Sequence, residues 1–408
     1  MKIDVLVVGG GASGLVAAIF AARAGARTTI IEHKDKIGKK ILATGNGKCN
    51  YTNLVQTPEC YRGTNPAFAT FVLNEFNETD AIAFFRELGI MPKYKNGYVY
   101  PYSEQATSIV NVLAMELKRL NVNIVYNEHV SSMKKQKDGS FFVQTNENTY
   151  QAKKVILATG GCASKAHGSD GSGYALAESF GHHIIKPLPA LTQLLASNKF
   201  FKTISGVRLE AKARLFSNQK EIAMEEGEVL FTNYGISGIP IFQLSRFAAK
   251  SIDENKNTSL TLDFYPEMSE FELQSHMIER FENGQHKTTE EVLTGLINQK
   301  LAYVLLQEAK LKPEAPSERV NKDGILRITK LLKQFTLTIT GCNTFENAQV
   351  SAGGVDTSEI DAKTLESKLV ENLYITGELL DIDGTCGGYN LQWAWSTGVI
   401  AGRNVVLP

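Results

Sequence analysis

The sequence predicts an α/β protein: a Rossmann-like nucleotide domain into which a β-rich domain is inserted, itself interrupted by a helical segment. Three observations carry the prediction. The apolar strand Asp4-Val5-Leu6-Val7-Val8 runs straight into Gly9-Gly10-Gly11-Ala12-Ser13-Gly14 and an alanine-rich helix closed by Gly25. A second apolar strand, Val155-Ile156-Leu157-Ala158-Thr159, breaks at Gly160-Gly161, where strands of such a sheet bring their carboxyl ends to a common ligand. A third, Leu373-Tyr374-Ile375-Thr376-Gly377-Glu378, precedes another glycine-rich helix entrance.

Taken in order, the first turn has glycine wherever a dinucleotide fingerprint needs one. Gly9 permits the tight bend, Gly11 the close approach of backbone to a pyrophosphate, and Gly14 the packing of helix on strand. Ala12 and Ser13 open the helix, whose free amides and positive dipole end suit phosphate. The strand Thr28-Thr29-Ile30-Ile31 ends in Glu32, about 20 positions past the turn, where a carboxylate accepts hydrogen bonds from an adenosine ribose. A carboxylate there repels a 2′-phosphate, so FAD or NAD is favoured over NADP. His33, next in the chain, and Val130, further on, belong to the same expected binding set.

The stretch Lys39 to Asn50 has no helical or strand periodicity, and its glycines suit either a mobile surface segment or backbone wrapped on a ligand. On the second reading Lys39, Lys40, Thr44, Gly45, Asn46, Gly47 and Asn50 touch cofactor phosphate or ring; on the first they form an exposed lysine-rich loop. Helical patterns follow at about 66–88 and 104–120, then β-like alternation at about 122–156 leading to Ala158, Thr159 and Gly160. From about Pro187 short β-type runs fill 190–264. A charged, helix-patterned segment with breaks near Pro313 and Pro316 spans 266–334, and strand character returns at Phe335-Thr336-Leu337-Thr338-Ile339. The expected domains are therefore 1–189 plus 350–408 for the nucleotide, 190–265 plus 335–349 for a β-rich substrate domain, and 266–334 for a helical insertion.

The final segment decides the cofactor. Gly377 and Glu378 end a strand, and Gly384-Thr385-Cys386-Gly387-Gly388-Tyr389-Asn390-Leu391-Gln392 opens a helix running through Ala394 and Gly402. Two glycine-rich helix entrances at opposite ends of one chain call for a ligand long enough to use both, and FAD fits. The first entrance takes the pyrophosphate and Glu378 the ribitol hydroxyls. The second, from Gly388 through Asn390 and Leu391, points its dipole at the flavin edge where negative charge gathers on reduction. No second strand-GxGxxG-helix unit is present, because Gly168-Ser169-Asp170-Gly171-Ser172-Gly173 follows polar loop. NADH or NADPH would then act only as a transient reductant that enters the substrate site and leaves.

Bulk properties limit the partners. Lysine plus arginine equals aspartate plus glutamate at 43 each in 408 residues, which supports neither nucleic acid nor an anionic membrane as partner. Nothing reads as a signal peptide or spanning helix, so the expectation is a cytoplasmic protein acting on a small molecule. The five cysteines are scattered and never form C-x-x-C, which argues against a disulfide framework, a metal site or a dithiol relay.

Gly45 to Asn50, Ala158-Thr159-Gly160-Gly161, Phe231-Thr232-Asn233-Tyr234-Gly235-Ile236-Ser237-Gly238, Ser351-Ala352-Gly353-Gly354-Val355 and the run from Gly377 to Gln392 together resemble the bacterial BaiN/YhiN flavoproteins, often labelled aminoacetone oxidase-like NAD(P)/FAD-dependent oxidoreductases. The resemblance spans nearly the whole chain. It implies an FAD-binding domain of the glutathione-reductase superfamily, a β-barrel-like middle domain and a helical third domain. Members of that family have been linked to amine oxidation and to reduction of steroid-like enones.

Catalytic side chains are weakly marked, since a flavin transfers hydride or electrons without one. His167, beside Gly168 and Asp170, is a candidate proton donor or base near the flavin, against a turn histidine satisfied by backbone. Tyr389 either lines the flavin face or packs; Cys49 is either redox-active or a buried small residue. Trp393 and Trp395 read as core anchors of the last helix. The leading function is an FAD-dependent oxidoreductase working by hydride transfer. The alternatives are a flavin-bearing sensor without turnover and a tRNA-modifying flavoenzyme, which needs a basic docking face.

Overall fold

The computed structural model describes residues 3–407. The chain divides into two compact units, Met1–Leu188 with Phe345–Pro408, and Pro189–Thr344. In the first, Ile3–Val8, Thr28–Ile31 and Thr149–Leu157, the last apolar only at Val155–Leu157, are the parallel centre of a seven-stranded sheet, with Asn123–Val125 at one edge. Continuous valine, isoleucine and leucine suit strands covered on both faces, and Leu6, Val7, Ile30, Val155 and Leu157 are wholly buried. The Thr149–Leu157 strand changes partner along its length. Its first half pairs antiparallel with Phe141–Thr145, and Val155–Leu157 pairs parallel with Leu373–Ile375. That second pairing brings the late strand to the carboxyl edge beside the first turn.

The two ends of the chain meet again through helices. Ala12–Arg23 lies against Tyr389–Asn404 at backbone distance: a Cβ on Gly398 would come within 2.5 Å of the Ser13 carbonyl oxygen, and one on Gly402 within 2.5 Å of that of Ala17. Trp393 and Trp395 are buried as expected, and each indole N–H has a backbone acceptor, Gly377 at 2.9 Å and Tyr51 at 2.8 Å.

In the second unit Leu194–Ala196, Gly235–Gly238, Lys220–Phe231, Arg208–Ser217, Thr258–Asp263 and Phe335–Cys342 close into a barrel. The helices Glu270–Asn283, Gln299–Glu308 and Lys322–Lys333 belong to the same apolar core: Leu273, Leu305 and Leu332 are buried in one cluster with Leu260 and Leu337 of the barrel strands.

Several local expectations need correction. The stretch after Lys39 holds a short helix, Lys39–Ala43, which the surrounding glycines and lysines hide. The helical pattern at 66–88 is two helices, Pro66–Glu75 and Glu78–Glu87, divided where Asn77 caps the second by accepting from the Thr79 and Asp80 amides. Within the β-patterned 190–264, Ile239–Asp253 is a helix of 15 residues, with Gly238 as its N-cap and Pro240 in its first turn. Among the described residues no helix is long and apolar enough to cross a membrane.

Candidate cofactor and active site

The three fingerprint glycines separate into two kinds. Gly9 takes φ 109°, and a Cβ on it would lie 2.4 Å from the Ala158 carbonyl oxygen; one on Gly14 would lie 2.0 Å from that of Gly9. Protein packing alone requires these two. A Cβ on Gly11, in contrast, meets no atom within 4 Å. What Gly11 keeps clear is the approach to the Ala12–Arg23 helix, which has no side-chain cap and no acid in its first turn. Its leading amides are left for an external anion, as a pyrophosphate requires.

At the end of the second strand Glu32 is buried and held from two sides: the Gly10 amide donates to Oε2 at 2.7 Å and the Lys34 amide to Oε1 at 2.8 Å. The carboxylate is thereby fixed at the mouth of the glycine turn. The Glu128 amide donates to the Glu32 carbonyl at 3.1 Å, which lays the segment leading to Val130 alongside. The rings of His33 and His129 meet edge to face with centroids 5.8 Å apart, and His129 Nε2 lies 3.7 Å from Asp170 Oδ2. His33 Nε2 is buried without a hydrogen-bond partner. Burial, outweighing the nearby Glu32 and Asp170 charges, holds His33 below the usual histidine range, so a neutral ring nitrogen is offered to a ligand. The orphan nitrogen and the cleared Gly11 fit the adenosine and pyrophosphate of FAD.

The other end of the site is clamped by the last helix. Gly377 donates its amide to Thr397 Oγ1 at 3.0 Å and its carbonyl accepts from Trp393, while a Cβ on it would come within 2.7 Å of Ser13 Oγ. Glu378 follows, with Lys40 Nζ on Oε2 at 2.7 Å and the Ser351 amide on Oε1 at 2.9 Å. Both carboxylate oxygens expected to meet ribitol hydroxyls thus have protein partners, and Lys40 is drawn from the 39–50 stretch to the same point. Lys39 pairs instead with Asp35.

Gly388 starts the Tyr389–Asn404 helix at φ 97°, again with no side-chain cap and no acid in the first turn. Asn390 is spent on its own loop, accepting from the Gly384 amide and donating to the Gly384 carbonyl, both at 2.8 Å. Leu391 is half-buried beside it. Gly45 and Asn46 adopt left-handed φ values of 56° and 53°, folding the Thr44–Gly47 turn onto Asn50, whose Oδ1 accepts from the Val99 amide at 3.1 Å. On the neighbouring strand, Gly160 is held at φ 72°, and the Thr159 hydroxyl occupies the space a side chain on Gly173 would need.

The three catalytic candidates are disposed differently. Cys49 is fully buried, and burial pushes its thiol up to about 12, so it stays protonated at neutral pH. Tyr389 is buried edge-on against Tyr61 with ring centroids 5.8 Å apart. His167 is exposed in a short turn, its Nδ1 at 2.7 Å from Ser164 Oγ. Two further residues stand beside these: Ser351, noted above only as part of a motif, whose Oγ accepts from the Cys162 and Ala163 amides, and Thr397 on the last helix, which sequence reasoning missed. An ordinary threonine sends no signal, and pairing with the Gly377 amide 20 positions away is what gives Thr397 a role.

FAD is long enough to reach both the Gly11 and the Gly388 helix entrances, with its pyrophosphate at the first. Fold and site together therefore define an FAD-dependent oxidoreductase of Rossmann type. Residues 3–404 match the HI0933-like protein Rossmann domain family, and the chain belongs to that family. It is 45% identical over 399 residues to a 3-dehydro-bile acid delta(4,6)-reductase from Clostridium scindens, covering 97% of each chain. It is also 30% identical over 397 residues to a ribosomal RNA dihydrouridine synthase from Haemophilus influenzae, covering 96% of each. Among solved structures, 3-ketosteroid delta1-dehydrogenase from Sterolibacterium denitrificans matches at a TM-score of 0.51 with 12% identity, over 99% of both chains, a likeness of fold.

Proposed function

We propose that the protein reduces a carbon–carbon double bond conjugated to a carbonyl in a small molecule, by hydride transfer at the flavin. One observation carries this reading: the 45% identity, end to end, to an enzyme whose name specifies a 3-oxo group and double bonds at positions 4 and 6. FAD, when bound, supplies the two-electron hydride chemistry. The chain's own part is to bind and orient: the amides opening at Gly11 take pyrophosphate, Glu32 and His33 take adenosine, and Lys40, Glu378 and the Gly388 entrance take the flavin side. NADH or NADPH serves as the transient reductant.

On this reading the fold is that of the glutathione-reductase superfamily and the protein is cytoplasmic. Segments 1–189 plus 350–408 hold the cofactor, 190–265 plus 335–349 serve the substrate, and 266–334 is a helical third part.

The second reading is a ribosomal RNA substrate, favoured by the 30% identity to the dihydrouridine synthase. It shares the chemistry, because the uracil double bond is also conjugated to a carbonyl. The balanced charge, 43 basic against 43 acidic residues, favours the small molecule. The test is anaerobic photometry of the holoprotein: reduction by NADH or NADPH, then addition of a 3-oxo-4,6-diene bile acid. Reoxidation with loss of the dienone absorbance is expected. A reduced flavin that ignores the dienone but forms dihydrouridine in ribosomal RNA favours the second reading, and one that only air reoxidises points to an oxidase.

A further inference from the structure

Reduction of an enone needs an acid as well as a hydride; of the three catalytic candidates, Cys49 and Tyr389 are buried and His167 is exposed in a turn beside Ser164. The hairpin Pro92–Lys95 and Tyr98–Pro101, which pairs with Thr52–Asn53, offers a better group. Val99 is buried there, with its carbonyl accepting from the Tyr51 amide at 2.9 Å. Alternation turns Tyr98 and Tyr100 to the other face, half-exposed, with ring centroids 6.5 Å apart. A Cβ on Gly387 would come within 3.0 Å of Tyr98 Cε1, and one on Gly45 within 3.6 Å of Tyr100 Cε1. Those two glycines belong to the loops expected at the cofactor, and with the flavin ring between them the phenols would stand beside the substrate. Neither hydroxyl has a hydrogen-bond partner among the described residues, a condition shared by the buried hydroxyls of Tyr51 and Tyr174, while those of Tyr61 and Tyr150 bond to Gln56 and Glu128.

Resting on the enone-reductase reading, we infer that Tyr100 is the catalytic acid that protonates the α-carbon of the substrate, with Tyr98 forming the same wall. As the β-carbon receives hydride from the reduced cofactor, the π pair of the double bond moves onto the α-carbon and carbonyl. The α-carbon then takes the proton of the Tyr100 hydroxyl: one O–H bond breaks, one C–H bond forms, and the substrate gains two electrons and two hydrogens. The phenolate recovers a proton from water. Of the charges nearby, Lys48 favours the phenolate and Glu104, its ion-pair partner at 2.9 Å, opposes it. Partial burial keeps the Tyr100 hydroxyl above the ordinary tyrosine range, so it is loaded with its proton at neutral pH.

The test uses the holoprotein and Tyr100→Phe, which deletes a hydroxyl with no protein partner and so leaves the fold intact. Expected are unchanged FAD content, unchanged reduction by NADH or NADPH, and a fall in dienone-dependent reoxidation of about 10²–10⁴-fold, the usual contribution of a general acid. A second readout needs no turnover: nitration of the oxidised holoprotein by tetranitromethane, mapped by peptide mass, with saturating dienone protecting Tyr100 while Tyr102, 60% exposed, reacts as before. Tyr100→Phe reoxidised at the wild-type rate, or a Tyr100 that dienone does not protect, overturns the assignment while leaving the enzyme an enone reductase. A wild-type flavin that no enone reoxidises overturns the function reading itself, and the acid role with it.

Discussion

Gly11→Ala separates the cofactor from the fold more cleanly than any other change. The new methyl meets no protein atom within 4 Å, and Gly11 has φ −84°, which alanine adopts freely. Losing glycine's unfolded-state freedom stabilises by about 0.4–1 kcal/mol and losing a glycine N-cap costs a similar amount, so the apoprotein should stay within about 1 kcal/mol of wild type. Bound FAD is another matter, because the methyl stands where the pyrophosphate must approach. Overpacking of one methyl costs about 1–3 kcal/mol, roughly 10- to 100-fold in Kd. With FAD at about 1,000 times the wild-type Kd, ligand stabilisation is about 4.1 kcal/mol; a 100-fold loss reduces it to about 1.4 kcal/mol. For a cofactor unit of this size that removes about 5–10 °C of the FAD-induced rise in Tm. Fluorescence titration of apoprotein with FAD and calorimetry with and without it measure both quantities. Gly11→Ala that binds FAD as wild type does, or whose apoprotein melts far lower, refutes the reasoning. Gly14→Ala is the counterpart: its methyl would sit 2.0 Å from a backbone oxygen, so the apoprotein itself should lose about 3 kcal/mol or more.

Glu32→Lys puts a cation where the ribose is received and removes the acceptor of the Gly10 and Lys34 amides; purified protein should be largely colourless, and undiminished flavin absorbance would count against the adenosine assignment. Cys49, with its thiol pushed up to about 12, should resist iodoacetamide in the native protein at pH 8 and react only after unfolding; peptide mapping that finds it alkylated natively would contradict the burial. Glu116 is held down to about 2 by Arg119 and Arg23, at 2.7 Å each. A carboxylate lowered on folding stabilises above its unfolded value and loses that contribution as pH falls toward 2. Glu116→Gln should therefore cost about 1–3 kcal/mol in urea melts at pH 7, with the difference from wild type shrinking steadily below about pH 4.

The sequence exposed what backbone chemistry demands and concealed what pairing creates. Gly9, Gly11, Gly14, Glu32 and the Tyr389–Asn404 helix stood out because glycine turns, strand-end acids and helix entrances leave marks within a few residues. Lys40 and Glu378 were each visible, but their ion pair joins positions 338 apart and has no local trace. Ile239–Asp253 was hidden by the glycine and proline that start it, and the Tyr98–Pro101 strand by its brevity. Short elements are set by the surfaces they land on rather than by their own propensity.

The contact of Gly398 and Gly402 with Ser13 and Ala17 also has a temporal meaning. The Tyr389–Asn404 helix leaves the ribosome roughly 380 residues after the Gly9 turn, or about 20–80 s of synthesis later. Until then the first helix has an uncovered flank and the Gly388 entrance does not exist. On the proposed reading of the Gly388 entrance, capture of the coenzyme comes last in biogenesis, and a chain cut short before that helix should emerge without colour however well its barrel has already folded.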